Sequence, residues 1–146
     1  MSTTNRQMEY LDSSTALHMH AYREHINKLI RRSRMLDRLD RVIVRLYFID
    51  GYSLSQIAAI RGASRAAMQR RFKRILRRLK SPEFCGYMRL HLHMEGVSRE
   101  VGRRYFFRGV SIQKIAQETG LSIYRVRQII AQIRKEISES FQNEAV

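Results

Sequence analysis

The feature that most constrains this chain is that it writes one pattern twice. "DGYSLSQIAAIRGASRAAMQRRFKRIL" begins at Asp50, and "RGVSIQKIAQETGLSIYRVRQIIAQIR" begins at Arg108. Tyr47 answers to Tyr105, Phe48 to Phe106, Gly51 to Gly109 and Ser53 to Ser111. Ile57 and Ala58 answer to Ile115 and Ala116, Gly62 to Gly120 and Ser64 to Ser122, always 58 residues apart. A gapless internal repeat of this kind is one small structural unit used twice.

Punctuation and periodicity make that unit helical. Proline occurs once, at Pro82, and the alternation expected of strands is absent. Leu36, Leu39, Ile43 and Leu46 form a helical stripe with arginines between them. Ser53 and Gln56 make a Ser-x-x-Gln capping box that starts a short helix at Leu54. Gly62 suits a left-handed turn, and Ser64 caps a helix running from Arg65 toward Lys80, which Ser81–Pro82 ends. The second copy repeats the plan. A helix is expected from about Ser98 to Phe107, a short one from Ile112 to Glu118, a turn at Gly120, and a long helix capped by Ser122. An earlier helix is expected from about Ser14 to Arg34, with Leu17, Ala21, Ile26, Leu29 and Ile30 as its apolar face.

A helix, a glycine turn and a second capped helix make the helix-turn-helix plan. Ala58 and Ala116 stand where the two helices must touch closely, and Met68, Phe72, Val126 and Ile130 point the second helix back into the core. The expected fold is therefore all-α: two tandem helix-turn-helix units with an additional N-terminal helix. Residues 1–34 are the N-terminal helix, a candidate oligomerisation or partner segment. Residues 35–82 and 98–146 are the two units, and 83–97 is a linker with helical potential through Phe84, Met88 and Leu92.

Charge narrows the partner. Lys and Arg total 28 against 13 Asp and Glu, for a formal net charge of +15. Such an excess points to a polyanion, with nucleic acid first and an anionic membrane surface second. Residues 1–30 are neutral, residues 31–80 hold fifteen basic and three acidic groups, and residues 81–146 hold ten and seven. The repeats thus share a pattern but not an electrostatic character. No apolar run approaches the roughly 18 residues of a membrane span, no signal-type segment is seen, and the one cysteine, Cys85, has no internal partner. These features suit a cytoplasmic protein, associated with the nucleoid when bound to DNA.

"LYFIDGYSLSQIAAIRGASRAAMQRRFKRILRRLK" resembles the promoter −35-binding region 4 of bacterial sigma-70-type factors, especially the extracytoplasmic-function group. The likeness lies in the aromatic leading helix, the "G-x-S-x-x-x-I-A" opening, the "G-x-S-R" turn and the basic run. It covers residues 36–80 well and 98–138 more loosely. The resemblance implies that the second helix of the motif enters the major groove and that RNA polymerase is a partner. Residues 1–35 are too short for the region that melts the −10 element, so a sigma-derived regulator is expected rather than a complete sigma factor.

The residues themselves name a DNA-reading face. The second helix of such a motif presents its first turns to base edges. In the first copy these are Ser64, Arg65, Gln69, Arg70 and Lys73, where Arg65 and Arg70 suit guanine and Gln69 suits adenine. Arg71, Arg74, Arg77, Arg78 and Lys80 continue the helix with no acid among them, suiting phosphate. In the second copy the equivalents are Ser122, Tyr124, Arg127 and Gln128, with Arg125 and Arg134 for the backbone.

Other chemistry finds little support. Tyr47, Phe48, Tyr105, Phe106 and Phe107 are compatible with base stacking, but their helical spacing favours core packing. The "HMH" and "HLH" pairs around His18, His20, His91 and His93, with His25 and Cys85, lack zinc-ligand spacing. No phosphate cradle or carboxylate cluster exists, so neither an enzyme nor a cofactor is expected. The expected function is a transcriptional regulator that reads a bipartite site on double-stranded DNA. The alternatives are an RNA polymerase- or sigma-binding regulator and a multimeric phage DNA-packaging or recombination accessory protein. A homo-oligomer is compatible with each.

Overall fold

The protein's structure, a computed structural model, describes residues 3–145, with side chains described for residues 15–145. It is all-α, with no strand among the described residues. α1 (Thr3–Ser33) leads to α2 (Arg38–Phe48), α3 (Leu54–Arg61) and α4 (Arg65–Lys80). α5 (Pro82–Leu90) and a 3-10 turn (His91–His93) follow. Then come α6 (Gly96–Gly102), a π turn (Arg103–Phe107), α7 (Ile112–Thr119) and α8 (Ile123–Glu144).

Local chemistry explains why the same element bounds recur 58 residues later. Ser53 and Ser111 cap α3 and α7 by accepting from the N–H groups of Gln56 and Lys114. Ser64 and Ser122 cap α4 and α8 in the same way, accepting from Ala67 and Arg125. Gly62 and Gly120 turn the chain at φ 65° and 72°, a region closed to most side chains. Both leading helices also finish alike. Asp50 and Arg108 donate N–H to the Arg45 and Arg103 carbonyls at 3.1 and 3.2 Å, and Tyr52 and Val110 to the Leu46 and Arg104 carbonyls at 3.0 and 2.9 Å.

The copies part where the second meets α5. A continuous helix is expected from Ser98 to Phe107, but its last part is the π turn. Phe106 and Phe107 are both buried, whereas Ile49, the counterpart of Phe107, is exposed. Phe84 and Tyr87 of α5 are their partners. Phe84 lies edge-on to Phe107 at 5.2 Å, and Tyr87 stacks on Phe106 at 5.1 Å. The Tyr87 hydroxyl donates to the Arg99 carbonyl at 3.0 Å. Burial pushes the Tyr87 phenol up to about 12, against the opposing pull of Arg103 and Arg99. The stretch expected as a linker therefore supplies core. α5 packs on both α4 and α8, and the buried residues of both units form one cluster. Close approach requires glycine here: a Cβ on Gly86 would meet Ile137, and one on Gly102 would run into the Tyr87 ring.

The N-terminal helix also differs from expectation. It begins at Thr3 rather than near Ser14. Leu29 is buried and Ile26 and Ile30 are half-buried, but Leu17, placed on the expected apolar face, is 70% exposed and Ala21 is exposed too. Residues 15–25 are all exposed, and burial along α1 begins at Ile26. At its other end, Arg32 donates to the Leu79 carbonyl at 3.0 Å and satisfies one of the open acceptors at the end of α4.

The stripe expected along α2 is rotated. Leu39 is 44% exposed, and Asp40 takes the inward place, beside the fully buried Ile43 and Val44. Asp40 is tolerated there because α4 supplies cations. Arg71 Nε donates to Asp40 Oδ1 at 2.8 Å, and Arg78 lies 3.7 Å from Asp40 Oδ2. Asp37 caps α2 by accepting from the Asp40 N–H.

Two measurements test this packing. Arg71→Gln strands a buried carboxylate without its hydrogen bond and is expected to cost about 2 kcal/mol in urea unfolding. Arg70→Gln, on the open face, is expected to stay within about 0.5 kcal/mol. Gly102→Ala forces a methyl group into the Tyr87 ring and is expected to cost about 2 kcal/mol or more, whereas Gly62→Ala, strained only in its φ, costs about 1 kcal/mol. Equal losses for the two alanine variants would contradict the shared core around Tyr87.

Candidate nucleic-acid interface

Helix α4 divides its residues sharply by face. Met68, Phe72, Ile75 and Leu79 recur at helical spacing and are buried. Arg65, Arg70, Lys73, Arg74 and Arg77 are exposed, and Gln69 is half-buried beside them. No acid occurs in α4, so no residue of its own helix neutralises this face. The distance from Arg65 to Arg77 along the axis is about 18 Å at 1.5 Å per residue, enough to run from base edges at the first turn to phosphates at the far end. Ser64 is committed to the cap, its hydroxyl oxygen accepting from Ala67 N–H at 3.1 Å. The first turn is therefore held open and well defined.

Arg71 and Arg78 stand apart from this face. Both turn toward Asp40, so they fix the angle between α2 and α4. Arg71 and Arg78 are both expected among the phosphate contacts, and the structure instead places their guanidiniums against a carboxylate of the neighbouring helix. Arg78 also lies across Gly109, where a Cβ would collide with its guanidinium. It thereby links α4 to the turn that precedes α7. A groove of about 450 Å³ follows this junction, lined by Arg74, Arg77, Arg78, Glu83, Tyr105 and Ser111.

Helix α8 presents a different surface. Val126, Ile129, Ile130, Ile133 and Ile137 face the core. Tyr124, Arg125, Arg127 and Gln128 are exposed near its start, and Gln128 donates from its amide to the Tyr124 hydroxyl at 3.0 Å. Ile123 at the first position is 41% exposed and Tyr124 is 70% exposed. Ser122 is spent as the cap, accepting from Arg125 N–H at 3.1 Å. Arg134, read from the sequence as a backbone contact, instead donates to Glu83 at 2.7 Å and to the Tyr105 hydroxyl at 3.0 Å. The Glu83 hydrogen bond is the main reason that its guanidinium is held above its ordinary range. Apart from Arg71, Arg78 and the half-buried Gln69, the structure exposes the first-copy residues on α4 and the second-copy residues on α8.

Asp40 is what sequence reasoning missed. Its partner lies 31 residues away, so no local spacing exposes it. The available signal was composition: Asp40 is one of only three acids among residues 31–80. Among the described residues, no helix is long and apolar enough to cross a membrane.

No curated protein and no solved structure matches the chain. Residues 26–79, however, match the family model described as Sigma-70, region 4. That match begins at Ile26, where α1 first turns side chains inward, and ends at Leu79, the last buried residue of α4. The region from the end of α1 through α4 is thus a sigma-70 region 4-like helix-turn-helix.

Proposed function

We propose that the protein is a sequence-specific double-stranded DNA-binding regulator of transcription, with α4 and α8 as two unequal recognition helices. The observation that carries this reading is the exposed, acid-free face of α4, set in a sigma-70 region 4-like unit. Arg65, Gln69 and Arg70 read base edges, where a bidentate contact discriminates by about 1–3 kcal/mol. Lys73, Arg74 and Arg77 neutralise phosphates without regard to sequence. Helix α8 reads the second element through Arg127 and Gln128, with Arg125 on the backbone and Tyr124 and Ile123 available to thymine methyls. Because the faces differ, the two half-elements differ, and the site is not a perfect palindrome.

A second reading draws on Ile123 and Tyr124, apolar and exposed where α4 offers Arg65 and Ala66. There, α8 docks on RNA polymerase or a sigma factor while α4 alone holds DNA.

Selection of bound sequences from a random duplex library near physiological salt, with nonspecific competitor, tests the first reading. One bipartite motif is the expected result. Arg65→Glu with Arg70→Glu is expected to abolish binding, and Arg127→Glu to change the preferred sequence more than total affinity. Lys73→Gln is expected to weaken all sequences alike and to lower the salt slope by about 0.9. Loss of affinity without a change of preference at Arg127 counts against two readers. If α8 is a protein-docking surface, Tyr124→Ala leaves the selected motif intact and abolishes co-purification with RNA polymerase from nuclease-treated extract.

A further inference from the structure

Outside α4, positive charge also gathers in a cleft between the two units. It measures about 510 Å³ and is lined by Arg34 just after α1, by Arg38 and Arg41 from the first unit and by Arg99, Arg103 and Arg108 from the second. Arg41 and Arg99 are equivalent positions of the repeat, 58 residues apart, so the two leading helices turn the same guanidinium toward one space. Met35, Leu36 and Phe107 also line the cleft, the last two of them buried, and apolar walls strengthen electrostatic interaction. Among the described residues, none of these six arginine side chains has an ion pair or a side-chain hydrogen bond. Arg99 Nε is buried and lacks a partner altogether.

Nearby acids are already committed. Asp37 lines the cleft, but its carboxylate caps α2 by accepting from Asp40 N–H at 2.9 Å. Glu100 lies on the adjoining hollow and is bound to Arg104 at 2.9 Å. Six guanidiniums against the single carboxylate of Asp37 leave the cleft with a large excess of positive charge, and a buried guanidinium nitrogen without a partner is costly. Both costs fall if an anion occupies the space.

The geometry points to a binding site for a compact oligophosphate, held between the two units and separate from the DNA-reading face. All six cations are arginines, whose planar forks match phosphate oxygens two at a time. The volume suits a small molecule and is far too small for a duplex segment. The occupant touches both units at once, so it fixes one leading helix against the other. This inference does not rest on the proposed DNA recognition.

Titration calorimetry of the full chain with sodium tripolyphosphate, near physiological salt, tests it. The expected result is a saturable one-to-one isotherm, with a melting temperature raised by about 5 °C or more at a hundredfold excess over Kd. Arg99→Gln with Arg103→Gln is expected to weaken binding at least about tenfold, which is about 1.4 kcal/mol. Arg70→Gln with Lys73→Gln removes the same charge from α4 and is expected to leave affinity within about twofold. Arg108→Gln, at an exposed position, is the check should the double variant fold poorly, and it too must weaken binding. Equal weakening by the cleft pair and the α4 pair overturns the site in favour of diffuse net charge. So does the absence of a saturable isotherm. If the cleft variants lose duplex DNA affinity while tripolyphosphate gives no isotherm, the arginines follow a nucleic-acid backbone and the oligophosphate site is overturned.

Discussion

The carboxylate of Asp40 is the point on which the exposed basic face of α4 depends. One buried acid on α2 draws in Arg71 and Arg78 of α4, two cations seven residues apart and therefore on one side of that helix. Drawing those two inward determines which cations remain outside. The rotation that seats Met68, Phe72, Ile75 and Leu79 in the core is the same rotation that leaves Arg70, Lys73, Arg74 and Arg77 open. Apolar packing alone would leave the helix some freedom to roll, because Leu76 and other flanking residues are also apolar. The ion pair removes that freedom, since a buried charge tolerates no position without its partner.

α5 gives the molecule its continuity. Phe84 and Tyr87 fill the space beneath Phe106 and Phe107, and the glycines at 86 and 102 let helices approach to contact distance. The π turn belongs to this arrangement. The first unit has no such neighbour and carries exposed Ile49 instead, so the repeats differ most where their surroundings differ.

Much of this was legible in the sequence because helix starts are local events. Ser53, Ser64, Ser111 and Ser122 each meet their backbone partner three residues on, and the capped starts of α3, α4, α7 and α8 fall where those serines place them. Gly62 and Gly120 were legible for the same reason. The basic face of α4 could be read from its composition. What escaped the sequence is what depends on distant residues: the inward turn of Asp40, the commitment of Arg71 and Arg134 to carboxylates, and the burial of the supposed linker. The cleft between the leading helices was equally hidden, since Arg34 and Arg108 are far apart until the chain folds. Leu17 shows the opposite error. Its spacing fits an apolar face, but periodicity cannot tell whether a surface exists for that face to meet.

The shared core has a geometric consequence for any duplex that touches both α4 and α8. Helices carried by flexibly joined domains can follow half-sites placed at many separations. These two are carried by one cluster of buried side chains, with Arg78 laid across Gly109 and no slack segment between them. One added base pair rotates the far element by about 34° around the duplex axis as well as moving it along. A rigid protein meets that rotation as a torsional cost, borne by twisting the DNA. The spacing between elements therefore belongs to helical phase as much as to length, and an insertion of a full turn differs in kind from one of half a turn.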